Sequence, residues 1–98
     1  MIVEHALLHV IPHRTDEFEA AFAAAKSIIS SMPGFVNLTL SRGIEQPHVY
    51  LLLVEWERLE DHTEGFRMSD EYQEWKTLLH HFYEPFPVVS HFDPMENA

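Results

Sequence analysis

Tyr50-Leu51-Leu52-Leu53-Val54-Glu55-Trp56, residues 50–56, is apolar on both faces of an extended strand. Tyr50, Leu52, Val54 and Trp56 point one way; Val49, Leu51 and Leu53 point the other. A strand with one solvated face alternates apolar and polar residues, so this one is read as buried on both sides. A chain of 98 residues has too few helices to cover both faces of a sheet. The second face is expected to bury against a second copy of the chain.

Working outward, Ile2–Ile11 reads as a strand with Ile2, Glu4, Ala6, Leu8 and Val10 on one face. Val3, His5, Leu7, His9 and Ile11 share the other, and Pro12 ends the run. Arg14–Met32 reads as a helix, with Phe18, Phe22, Ala25, Ile29 and Met32 as its apolar stripe and acids in its first turn. Pro33-Gly34 stops it. Phe35–Arg42 is predicted as a second strand, with Val36, Leu38 and Leu40 on one face and Phe35, Asn37, Thr39 and Ser41 on the other. Gly43–Pro47 turns the chain into the third strand, Val49–Glu57, as a hairpin. Leu59–Arg67 predicts a short helix with Leu59, His62 and Phe66 on one face. Ser69 caps a longer helix to about His81 with Met68, Tyr72, Trp75, Leu79 and Phe82 as its stripe. Pro85 and Pro87 bar further helix, and Val88–Phe92 is a last strand.

The order β-α-β-β-α-β is the ferredoxin-like arrangement, an α+β fold: a four-stranded antiparallel sheet with both helices on one face. The open face then carries Val3, Leu7, Ile11, Val49, Leu51 and Leu53. Burying such a patch at about 25 cal/mol per Å² favours a homodimer, two sheets face to face in a dimeric α/β barrel. One domain over residues 1–98 is expected, with 93–98 as a frayed tail.

The formal charge of −10, from sixteen acids against six Lys and Arg, repels phosphate backbones and anionic lipid. Neither nucleic acid nor a membrane is an expected partner. There are no cysteines and so no disulfide framework. The N-terminus carries Glu4 and lacks the basic start of a signal peptide, and no apolar run has transmembrane length. A cytoplasmic location is the expectation.

Several residues are candidates for chemistry. Trp56, facing the helices, is either a flat wall for an aromatic substrate or simple core. His62 shares an inward face with Phe66 and is the candidate general base; the alternative is a core histidine bonded to a carbonyl. His80 and His81 suit a helix C-terminus on dipole grounds alone, yet one of them must turn towards the sheet beside Tyr83. Tyr72, Trp75 and Phe82 would furnish further pocket walls. His5 and His9 lie roughly 13 Å apart along one strand, too far to share a metal ion; they are expected to line the dimer interface with Asn37, Thr39, Ser41 and Glu55. No Gly-rich phosphate loop and no metal-ligand spacing occurs, so neither a metal nor a bound cofactor is expected.

Four elements together resemble the antibiotic biosynthesis monooxygenase (ABM) domain family: Met32-Pro33-Gly34-Phe35, Leu53-Val54-Glu55-Trp56, Leu59-Glu60-Asp61-His62 and Ser69-Asp70-Glu71-Tyr72. The resemblance implies a homodimer with a pocket between sheet and helices in each subunit. The positions matching the catalytic residues of haem-degrading members are Ala6, Phe66 and Lys76, and none has the required side chain. Of those used by polyketide oxygenases, Trp56 is retained, while Leu52, His62 and Lys76 stand at or near the others. What the resemblance implies is a monooxygenase acting with O₂ and no cofactor on a small aromatic or enolisable substrate. An isomerase using the same base, or a non-catalytic small-molecule-binding dimer, are the alternatives.

Overall fold

The computed structural model describes residues 1–97. Four antiparallel strands, β1 (Ile2–His9), β2 (Phe35–Arg42), β3 (Val49–Trp56) and β4 (Val89–Phe92), form one sheet in the order β2-β3-β1-β4. Two α-helices, α1 (Thr15–Ser30) and α2 (Asp70–Leu79), cover one face. This is the ferredoxin-like fold expected from the element order.

The two central strands pair along their whole length, from Ile2 opposite Trp56 to His9 opposite Val49. That register brings Ala6, Leu8, Leu52, Val54 and Trp56 to the helix side, where all are buried against Phe18, Phe22, Ala25 and Ile29 of α1 and Trp75 and Leu79 of α2. The helical stripes read from the sequence are therefore the core. Ser69 caps α2: its Oγ accepts from Tyr72 N–H at 3.2 Å.

Several expectations shift. Val36 is 43% exposed instead of facing the helices. Phe35 pairs with Trp56 and Asn37 with Glu55, so Val36 is the extra residue of a β-bulge. Phe35 is thereby turned inward, its ring 5.9 Å from Trp56 and at 88° to it. Met68 is 80% exposed, because it lies before the Ser69 cap and outside the helix whose stripe it was assigned to. Leu59 also stays at the surface. The helical turn after it is not α-wound: over Asp61–Phe66 it is a π-helix, closed by Arg67 N–H donating to the His62 carbonyl at 3.0 Å, a five-residue step. The long C-terminal helix ends as α-helix at Leu79 and tightens into a 3₁₀ turn over His80–Phe82. Residues 93–97 carry no regular structure, and the last residue of the expected tail, 98, lies outside the described residues. None of the described helices is long and apolar enough to cross a membrane.

Gly34 anchors the π-helical turn. Its φ is +84°, and a Cβ there would collide with the Asp61 carboxylate. Asp61 Oδ2 in turn accepts from Arg58 N–H at 3.0 Å and so fixes the start of the segment that carries His62. Gly34→Ala should destabilise the chain by about 1–3 kcal/mol, from backbone strain with the Asp61 clash added. Urea unfolding followed by Trp fluorescence measures this; a change below about 0.5 kcal/mol would show that the contact is not a constraint.

Candidate functional site

A buried acid sits where an apolar side chain belongs. Glu4 occupies the core face of β1 between Ile2 and Ala6 and is 6% exposed. Trp56 Nε1–H donates to its Oε1 at 3.0 Å, and His62 Nε2 approaches the same oxygen at 3.3 Å. His62 is 2% exposed. Its ring stacks on the Trp56 indole, centroids 5.6 Å apart and planes 16° apart, and its Nδ1 lies 2.8 Å from Nε2 of His91 on β4. β1, β3, β4 and the π-helical turn thus each contribute one member of a continuous line: Trp56 and His62 to Glu4, and His62 to His91.

Beside this line a cavity of about 40 Å³ lies between the sheet and α2, space for one to three water molecules. Glu4, Ala6, Leu8 and Leu52 are its floor; Phe66, Tyr72 and Trp75 form one wall; His80, Tyr83 and Phe86 form the mouth with Arg67. Both polar contacts of Glu4 fall on Oε1. Among the described residues no buried side-chain oxygen lacks a partner, so Oε2 is the oxygen open to the cavity. Arg67 is the one permanent cation lining it.

Electrostatics follow from burial. Desolvation lowers His62 from 6.5 to about 3, with the Arg67 and His91 charges adding to it, so the imidazole is neutral. Desolvation raises Glu4, opposed by the Trp56 hydrogen bond and by Arg67. His80 is lowered to about 4, chiefly by burial and then by Lys76. Burial also raises Tyr72 and Tyr83. The site is thus an acid with heightened proton affinity beside neutral imidazoles, in a wall of aromatic rings.

Of the residues singled out from the sequence, His62, Phe66, Tyr72, Trp75, His80 and Tyr83 line the cavity. Trp56 lies beneath His62 and makes no wall. His81 is exposed, its ring against Phe82, and Phe82 packs on Phe18 of α1 with the Arg14 guanidinium over its face. His5 and His9 lie on the opposite side of the sheet. Glu4, Arg67 and His91 were not among the candidates. A lone acid on an apolar strand face was a readable signal for Glu4. Nothing in the local sequence marks His91, which meets His62 only through the β1–β4 register that sets it opposite Glu4.

A roomier groove of about 520 Å³ lies between α1 and β2. Three of its polar groups, Glu19, Arg42 and Tyr50, are committed to one another. The Tyr50 hydroxyl donates to Glu19 at 2.5 Å, and Arg42 bridges Glu19 at 3.2 Å. Burial, then the Glu19 bond, pushes Tyr50 up to about 12. No histidine lines that groove.

The family model described as antibiotic biosynthesis monooxygenase matches residues 1–78. A protein of Bacillus subtilis (strain 168), named uncharacterized protein YczJ, is 60% identical over 92 residues, 94% of this chain and 97% of its own length. A Bordetella bronchiseptica crystal structure, described as a candidate antibiotic biosynthesis monooxygenase, superposes with a TM-score of 0.92 at 35% identity, covering 97% of each chain. SnoaB of Streptomyces nogalater, described as a cofactor-independent oxygenase, shares the fold with a TM-score of 0.77 at 21% identity, over 98% of this chain and 92% of its own.

The buried histidine makes acid stability a readout of the site. Between pH 6.5 and about 3 the unfolded chain binds a proton that folded His62 refuses, so stability falls as pH drops through this window. Glu4 acts oppositely: its raised carboxyl contributes stability at low pH that is lost as pH rises through its folded value. His62→Gln should therefore lose less melting temperature than the parent on going from about pH 6.5 to 4. The slope will be reduced, not abolished, because His80 and His91 are also lowered. Thermal unfolding across that range tests this; identical slopes would mean that His62 titrates normally.

Proposed function

We propose that this chain, which belongs to the antibiotic biosynthesis monooxygenase family, oxidises a small aromatic or enolisable substrate with O₂ and without a cofactor. The observation that carries the reading is the buried Glu4–His62 pair opening onto an aromatic-walled cavity with one cation. An activated C–H in such a substrate loses its proton to the pair; with both His62 nitrogens engaged by Glu4 and His91, the imidazole works jointly with the carboxylate. Arg67 holds the resulting anion by charge, and the aromatic walls hold its plane and exclude water. The electron-rich carbon adds O₂, and the proton returns to the peroxide. The hydroperoxide then loses water to leave a carbonyl: one CH₂ and one O₂ become one C=O and one H₂O.

The cavity is far below the roughly 300–1,000 Å³ of usual small-molecule sites, so binding moves its walls. Phe86 at the mouth, exposed and 5.0 Å from the His80 ring, is the side chain best placed to yield.

The homodimer belongs to the same proposal. Leu7, 43% exposed, and the half-buried Val3, Leu51 and Leu53 form the side of the sheet opposite the helices. Sedimentation should give twice the 11.5 kDa chain mass. Leu51→Glu should shift the protein towards single chains, and a folded wild-type monomer at micromolar concentration would overturn the pairing.

Oxygen uptake with a panel of hydroxyaromatics tests the reaction. His62→Ala should lower turnover by about 10²–10⁴-fold, the range of a lost proton-transfer group. Uptake unaffected by that change, or substrate turnover continuing under strict anaerobiosis, would overturn the oxygenase reading.

A further inference from the structure

Glu4, His62 and His91 form more than a static brace. His91 lies on β4, the edge strand, half-buried, and among the described residues it makes no second side-chain hydrogen bond. It sits on the helix side of the sheet, opposite Glu4 in the ladder, so pairing of two sheets through their other face leaves it uncovered. Glu4 Oε2 is open to the cavity at the other end of the line. Between these ends His91 Nε2 and His62 Nδ1 share a hydrogen bond at 2.8 Å, and His62 Nε2 makes an ion-pair contact of 3.3 Å with Glu4 Oε1, which a small turn of the imidazole would close to a hydrogen bond.

We propose that His91 and His62 are a proton wire connecting the Glu4 carboxylate, the cavity's proton acceptor, to bulk water at the β4 edge of the sheet. With Glu4 ionised, the protons sit on Nε2 of both histidines, and Trp56 Nε1–H and His62 Nε2–H both donate to Glu4. A proton entering at His91 Nδ1 releases the His91 Nε2 proton to His62 Nδ1, and the His62 Nε2 proton passes to Glu4 Oε1. Both rings end neutral with their tautomers exchanged, and Glu4 has gained one proton; the reverse passage returns it to water. Neither imidazole need be doubly protonated at rest, which suits a buried ring that resists charge.

The charges facing this line come from every element around it. Arg67 follows the π-helical turn and disfavours a cation on His62 or His91 while favouring the Glu4 anion. Tyr72 of α2 and Tyr83 after the 3₁₀ turn face Glu4 and stay neutral. His80 closes the mouth on the cavity side. The wire adds to the proposed reaction a means of setting the resting charge of Glu4 without opening the cavity.

The experiment requires no substrate. Nitrogen-15 NMR of the imidazoles and carbon-13 NMR of the Glu4 carboxyl are followed with pH in the full-length protein. The expected result is that His62 moves from the Nδ1–H to the Nε2–H tautomer in step with ionisation of Glu4. In Glu4→Gln the tautomer should not change over that range. In His91→Gln, which can hydrogen-bond but cannot relay, exchange of the His62 ring proton with water should slow at least tenfold and be restored by added imidazole, a rescue that a merely structural role would not show. A His62 tautomer fixed across the Glu4 titration, a doubly protonated His62 in that range, or exchange unchanged in His91→Gln would each overturn the wire. The tautomer titration uses the wild-type chain and stands even if a variant does not fold. Loss of the wire with oxygen uptake intact, or the converse, separates this inference from the oxygenase reading on which its purpose rests.

Discussion

A carboxylate removed from water must be met by donors, and most of the distinctive structure around this site answers that demand. Glu4 stands on a strand face whose other members, Ala6 and Leu8, are core. Its Oε1 takes the indole N–H of Trp56 and faces His62. The indole can reach because β1 and β3 are in register along their full length, with Ile2 opposite Trp56 and Glu4 opposite Val54. The imidazole can reach because the chain after β3 closes a wider helical turn. A buried carboxylate left with neither partner would cost several kcal/mol against a total stability of about 5–15 kcal/mol.

The wider turn has its own support. Gly34 leaves room for the Asp61 side chain, and Asp61 ties down Arg58 N–H. One extra residue in the turn sets His62 and Phe66 on the inside while Arg67, next along, reaches the rim of the cavity. A helix of ordinary pitch would place the cation differently with respect to the carboxylate. Single π-turns of this kind cost hydrogen-bond geometry and persist where a site uses the displaced side chains.

Much of the fold was legible because periodicity is a local signal. The stripe Phe18, Phe22, Ala25, Ile29 and the helix-side set Tyr50, Leu52, Val54, Trp56 each require only a single element to be read, and each is core as expected. What failed is what neighbours decide. The bulge at Val36 is a property of the β2–β3 ladder, and no residue in Phe35–Arg42 announces it. His62 and Phe66 were found because helical spacing puts them on one face. Arg67 was missed because an arginine at a helix end reads as solvated surface. Glu4 was seen on the core face but not weighed as chemistry. His91 depends on a pairing 87 residues away in sequence, between Glu4 and the last strand, which single-sequence patterns do not encode.

The near-filled chamber between the sheet and α2 has a consequence for selectivity. A receptor with an open, shaped void discriminates by fit; one that is closed until pushed discriminates by the work its guest can do. Here that work is the displacement of aromatic side chains such as Phe86 and His80, and only a flat, rigid guest returns the lost ring contacts by stacking in their place. Apparent affinity is then scaled down by the fraction of time the walls stand apart. Flexible or thin molecules cannot recover the toll.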